Sequence, residues 1–141
     1  MATPKFAHVG ISARDPRLTE QFYTKHFGFR RVRAIPLGQG EEIVFLRSAA
    51  GDLCLEMFRA QGEPPAPPVM ADGPAYRGYR HLALQVDSVD ALLAAMGSAA
   101  RITQGPMDFD AFIPGWRTVW IADPDDRIIE ITQGYKDERN G

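Results

Sequence analysis

RHLALQVDSVDALLAAM, residues 80–96, carries two periodicities in succession, and their order decides the fold. Leu82, Leu84 and Val86 alternate with other residues, the period-two pattern of a strand with one covered face. Ser88 is then a helix N-cap, and Val89, Leu92, Leu93 and Met96 fall at i, i+3, i+4 and i+7, an apolar helical stripe. The same phrase stands earlier in the chain. KFAHVGI (5–11) alternates as a strand, Asp15 and Pro16 form a cap and first-turn pair, and Leu18, Phe22, Tyr23 and Phe27 line a helix that Gly28 stops.

Three strands are expected after each phrase. FRRVRAI (29–35), EEIVFLRS (41–48) and LCLEMFR (53–59) are separated by the turn-formers LGQG and AAGD. ARITQG (100–105), WRTVWIA (116–122) and DRIIEIT (126–132) follow the second, the last two joined by DPDD. Spacing tests the repeat: His8 to His81 is 73 residues (81 − 8), Glu56 to Glu130 is 74 (130 − 56), and VFL (44–46) recurs as VWI (119–121) at 75. The expected class is α+β: two tandem β-α-β-β-β modules, 1–62 and 79–135, forming a sheet-lined, partly closed barrel cleft within one compact domain. A Pro-rich linker (63–78) joins them and a polar tail (136–141) follows.

Composition removes several function classes. A net charge of −2 gives no basic field for nucleic acid or an anionic membrane. No apolar run approaches the ~18 residues of a membrane span, and MATPKFAHVG lacks the apolar core of a signal peptide, so a cytoplasmic location is expected. The single Cys54 excludes an internal disulfide and any Cys-based zinc site, and its parity with Glu56 suggests inner packing. The expected partner is a small molecule, with nitrogen and oxygen as the only metal donors.

Four polar residues share one parity. His8 is flanked by Ala7 and Val9, Glu56 by Leu55 and Met57, His81 precedes Leu82, Leu84 and Val86, and Glu130 lies between Ile129 and Ile131. Their apolar neighbours face the helices, so each module sends one imidazole and one carboxylate to the opposite face. Two converging carboxylates must share a proton or a cation, and one divalent ion with His8, Glu56, His81 and Glu130 as ligands relieves their repulsion. Zn, Ni, Co, Mn and Fe(II) all suit such donors.

Further residues are placed around this site by parity. Trp116, Thr118 and Trp120 should share the face of Glu130, with Phe45 the counterpart of Trp120. GPMDFDAFIPG (105–115) is read as a long connection that covers substrate with Phe109 and Phe112. Arg30, Arg31 and Arg33 form either an anion-holding run or a solvated strand edge, and His26 is read as a surface residue.

HVGI, EQFYTKHFGF, LCLEMF, RHLALQVDSVD and WIADPDDRIIEITQ together resemble the vicinal oxygen chelate superfamily, which includes glyoxalase I, fosfomycin-resistance enzymes, extradiol dioxygenases and bleomycin-resistance proteins. The resemblance implies paired β-α-β-β-β modules around a metal cleft. His8, Glu56, His81 and Glu130 match the four-ligand pattern of bacterial-type glyoxalase I, which implies a metal-dependent lyase or isomerase acting on a substrate with adjacent oxygens. Glu130, exchanging roles with Glu56, would be the catalytic base. Glutathione is the thiol partner implied by glyoxalase I, but Ser12 and Ala60 stand where that enzyme commonly carries Arg and Asn. The turn reads DPDDR where many relatives have a glycine after DPD.

Alternatives within the same superfamily are an extradiol Fe(II) dioxygenase using His8, His81 and Glu130, an epimerase or fosfomycin-type thiol transferase, and a non-catalytic drug-binding resistance protein. A homodimer is expected, with His8 and Glu56 of one subunit meeting His81 and Glu130 of the other.

Overall fold

The computed structural model describes residues 2–138. The chain divides into two units, Met1–Pro65 and Ala66–Gly141. Each has the α+β architecture expected from the repeat, one four-stranded sheet and one principal helix.

In the first unit, β1 (Val9–Ala13), α1 (Pro16–Phe27), β2 (Arg30–Gly38), β3 (Glu41–Arg47) and β4 (Cys54–Arg59) build a sheet of order β1-β4-β3-β2. The α1 helix begins where the Asp15 carboxylate accepts the Arg17 N–H at 3.0 Å, with Pro16 in the first turn, where a missing N–H costs nothing. It ends at Gly28, whose left-handed φ of 70° a side chain would oppose. The helical crossover lets β1 lie parallel to β4, whereas the tight turn Gly38-Gln39-Gly40 folds β3 back antiparallel on β2. Val44 and Leu46 stand opposite Met57 and Leu55, and all four are buried. On the helix, Tyr23 is buried with its ring edge-on to Phe27 and Phe29.

The second unit repeats the plan with β5 (Leu82–Gln85), α2 (Val89–Met96), β6 (Arg101–Asp108), β7 (Arg117–Ala122) and β8 (Ile128–Gln133), in the order β5-β8-β7-β6. Ser88 caps α2 by accepting the Ala91 N–H at 3.1 Å. Val119 and Ile121 pair in register with Ile131 and Ile129, and all four are buried. Buried Asp123 closes the β7–β8 turn, accepting the N–H groups of Asp125 and Arg127 at 2.8 and 3.0 Å. Asp126 takes the left-handed position of that turn at φ 61°, a conformation that aspartate tolerates better than most residues.

Two sequence expectations are corrected. The strands starting at residues 5 and 80 begin instead at Val9 and Leu82, because the ladders to β4 and β8 open at Val9–Leu55 and Leu82–Ile129. His8 and His81 therefore stand just ahead of the strands. The connection read over 105–115 is also shorter, since β6 continues to Asp108. Gly105 and Pro106, which has no N–H for a ladder, sit in a register shift after Gln104, and pairing resumes at Met107–Thr118.

The β2 strand is exposed along its whole length, including Val32, Ile35 and Leu37. Among the described residues, no helix is long and apolar enough to cross a membrane.

Candidate functional site

Each unit brings one histidine to one glutamate. In the first, His8 Nε2 lies 3.6 Å from Glu56 Oε2. The register explains the meeting: Gly10 is the β1 partner of Glu56, and His8 precedes Gly10 by two residues, on the same parity. A Cβ on Gly10 would come 3.9 Å from Glu56 Oε1, an ordinary contact distance, so this strand position lies directly beside the carboxylate. Phe45 is the cross-strand partner of Glu56 on β3, and its ring stands edge-on to His8 with centroids 6.1 Å apart.

The second unit has the same construction in a tighter form. His81 Nε2 is 2.6 Å from Glu130 Oε2, with side chains 18% and 15% exposed, against 41% and 22% for His8 and Glu56. Trp120 is the cross-strand partner of Glu130, and its ring stands edge-on to His81 at 6.3 Å. Among the described residues, no three or more His, Cys, Asp or Glu side chains gather around one point.

The role of His81 Nδ1 follows from its partner. Nδ1 lies 2.5 Å from the main-chain carbonyl of Asp72, which can only accept, so Nδ1–H is the donor. In the neutral ring Nε2 then presents a lone pair to a carboxylate oxygen at 2.6 Å. Two acceptors at that distance need a cation between them, either a proton or a metal ion. Asp72 itself is engaged elsewhere: the Arg80 guanidinium bonded to it holds its carboxyl below the usual carboxylate range.

The wall beside Glu130 is partly polar. Trp116 Nε1 donates to Thr132 Oγ1 at 2.9 Å, and Thr132 Oγ1 is 2.8 Å from Thr118 Oγ1. Thr118 and Trp120 are buried. The indole N–H of Trp120 is buried without a hydrogen-bond acceptor among the described residues, an arrangement that costs about 1–3 kcal/mol unless an acceptor arrives. Phe109 stacks at a tilt on Trp116 with centroids 4.8 Å apart, whereas Phe112, at the tip of the 109–116 connection, is exposed.

Other sequence candidates lie apart from these pairs. Arg31 is held by Glu20 and Glu42, and its hydrogen bond to Glu20 raises its pKa further above the ordinary guanidinium value; Arg30 and Arg33 are exposed on the β2 edge. Cys54 is a buried free thiol. His26, expected at the surface, is half-buried edge-on to Phe22, and burial chiefly, with Lys25 adding, lowers its pKa. Sequence reading missed Thr132 and the carbonyl of Asp72. Thr132 shares the parity of Glu130 and could have been found, while a main-chain carbonyl leaves no trace in residue type.

Among solved structures, the fosfomycin resistance protein FosX from Listeria monocytogenes superposes with a TM-score of 0.68 at 17% identity, over 99% of this chain and 100% of that one. A variant of that protein complexed with Mn(II) and 1S,2S-dihydroxypropylphosphonic acid gives 0.71 at 15% identity, over 95% of each chain. TnmS3, an antibiotic binding protein from Streptomyces sp. CB03234, gives 0.67 at 22% identity, over 96% of this chain and 99% of that one. At these identities the likeness is one of fold. Comparison with curated proteins yields no match. The family model described as Glyoxalase/Bleomycin resistance protein/Dioxygenase superfamily matches residues 5–131, nearly the whole of both β-α-β-β-β units, and the chain belongs to that superfamily.

Proposed function

We propose that the protein is a metal-dependent enzyme of glyoxalase I-like lyase or isomerase type, in which His8, Glu56, His81 and Glu130 together hold one divalent ion. The observation that carries this reading is the repeated pair, one Nε2 set against one carboxylate in each unit. The donor set fits a metal. Imidazole and carboxylate donors suit Zn, Ni, Co, Mn or Fe(II), and the His81–Glu130 pair at 2.6 Å is one that a proton or a metal ion can bridge. The Mn(II) in the FosX complex supports a metal of this class.

A bound divalent ion would polarise two adjacent substrate oxygens and offset the negative charge that develops on them. Glu130 then takes and returns a proton at the neighbouring carbon, with Glu56 able to exchange roles with it, while His8 and His81 stay in place. Trp120 directs its unpaired N–H to a substrate oxygen. Phe45 in the first unit and Trp116, Thr118, Phe109 and Phe112 in the second supply the substrate wall. Ser12 and Ala60 bring neither charge nor amide to a glutathione tripeptide, which favours a substrate recognised through its oxygens alone. A homodimer that completes the ligand set across its two-fold axis belongs to the same reading.

A second reading is resistance to a small phosphonate antibiotic. It is supported by the dihydroxypropylphosphonic acid in the FosX complex, whose adjacent hydroxyls have the same chelating pattern. Antibiotic binding, the property of TnmS3, is a further reading of this fold and needs no metal. Calorimetric titration with Mn(II), Ni(II) and Zn(II) is expected to give about one ion per four-ligand set. Turnover of a 2-oxoaldehyde hemithioacetal or of fosfomycin should then be lost on chelation and restored by metal. Chelator-resistant turnover, or drug binding with no metal uptake, would overturn the metal reading. Replacing Trp120 by Phe removes the N–H donor together with part of a buried ring that packs against His81, and should weaken substrate or inhibitor binding by roughly 10-fold or more.

A further inference from the structure

His81 lies outside the β5–β8 ladder, which opens at Leu82. Glu130 and Trp120 of the sheet meet one side of its ring, and a group outside the sheet meets Nδ1. We propose that the short stretch Ala71–Gly73 is a positioning strap that fixes the His81 ring with Nε2, not Nδ1, turned to the ion. The inference rests on the metal reading above for what Nε2 faces, but its claim about the ring stands on the strap alone.

Three observations show that the strap is built rather than incidental. From residue 61 to 80 the chain is almost wholly exposed, yet residues 71–74 are half-buried. Ala71 adopts a left-handed φ of 55°, which an L side chain opposes, and its carbonyl accepts the Thr103 hydroxyl of β6 at 2.5 Å. Gly73 lies so close to the main chain of Arg80 that a Cβ there would overlap the Arg80 carbonyl, and its φ of 121° is one that only glycine adopts readily. The Arg80–Asp72 ion pair at 3.0 Å engages the Asp72 carboxylate, and adds little by itself because Arg80 is half exposed. What reaches His81 Nδ1 is then the Asp72 carbonyl. A carbonyl has no proton to give, so Nδ1 keeps its own and Nε2 keeps a free lone pair. The strap thus selects the nitrogen through main-chain geometry, and Thr103 and Gly73 are positioning residues one step removed from the site.

The test is long-range 1H–15N spectroscopy of the whole protein, metal-free and loaded with Zn(II), alongside Mn(II) titration followed by electron paramagnetic resonance. In the wild type, His81 Nδ1 is expected to give a protonated-type signal in both states, with Zn(II) shifting Nε2. Thr103→Val keeps the side-chain shape and removes the donor. It should give mixed His81 tautomers when metal-free at about pH 9, where an ordinary histidine is neutral, and about 10-fold weaker Mn(II) binding. Gly73→Ala should do the same more strongly, and should Gly73→Ala fail to fold, Thr103→Val carries the test. In both variants the metal-free His8 signals of the first unit should stay as in the wild type, marking the effect as local. A wild-type His81 protonated on Nε2 alone, or Thr103→Val with wild-type tautomer and Mn(II) affinity, would overturn the strap. A wild type that binds no Mn(II) yet shows a protonated Nδ1 that responds to Thr103→Val would support the strap and overturn the metal reading instead.

Discussion

Glu130→Gln is expected to lower Mn(II) affinity by at least about 100-fold, with the fold intact. The substitution preserves volume, so Trp120 across the strand pair keeps its neighbour. It acts on both members of the pair. The carboxylate charge that offsets a divalent ion is lost, and the new amide NH2, placed where Oε2 stands 2.6 Å from His81 Nε2, donates to the lone pair that the ion needs. Since loss of an outer-shell partner alone typically costs 10–100-fold in metal affinity, loss of one ligand and capping of another should exceed that range. Electron paramagnetic resonance of free Mn(II) during titration measures it directly, and wild-type affinity in the variant would remove Glu130 from the ligand set. Any turnover should fall with metal occupancy and should not recover at high substrate concentration.

The second large effect is on stability. Ile131→Ala is expected to destabilise the protein by about 2–5 kcal/mol, the range for deleting a buried aliphatic side chain that leaves a cavity. Ile131 is fully buried in the centre of β8, paired with Val119 on one side and Leu84 on the other, so both neighbouring strands resist collapse into the space. Against a total stability of about 5–15 kcal/mol, this should lower Tm by roughly 10 °C. Leu37→Ala on the exposed β2 edge is the control, because its side chain already stands largely in water and should change Tm little. Thermal denaturation of the two variants side by side checks the contrast, and equal shifts would contradict the burial assignment.

Local signals made most of the architecture legible. Asp15 with Pro16, Gly28 and Ser88 mark helix ends through their own hydrogen bonds and backbone preferences, and the structure uses each of them so. Alternation carried the face of Glu56 and Glu130, which the register sets opposite Phe45 and Trp120. What stayed hidden depends on partners distant in sequence. Val9 and Leu82 start their strands because of where β4 and β8 begin, not because of any residue at 5 or 80. Strand β6 passes through Gly105 and Pro106, a pair that ordinarily ends a strand, because a register shift lets the ladder resume beyond them. The acceptor on His81 Nδ1 is a main-chain carbonyl, which every residue carries.

The exposed β2 strand has a consequence for association. A bare sheet edge invites another chain to add a strand, yet this one offers Pro36, which has no N–H to give, and the exposed charges of Arg30 and Arg33. Continuous sheet growth through β2 is therefore disfavoured even with Val32, Ile35 and Leu37 open to water. Contact through this face, where it occurs, has to run through side chains such as Val32, Ile35 and Leu37 rather than through shared main-chain ladders.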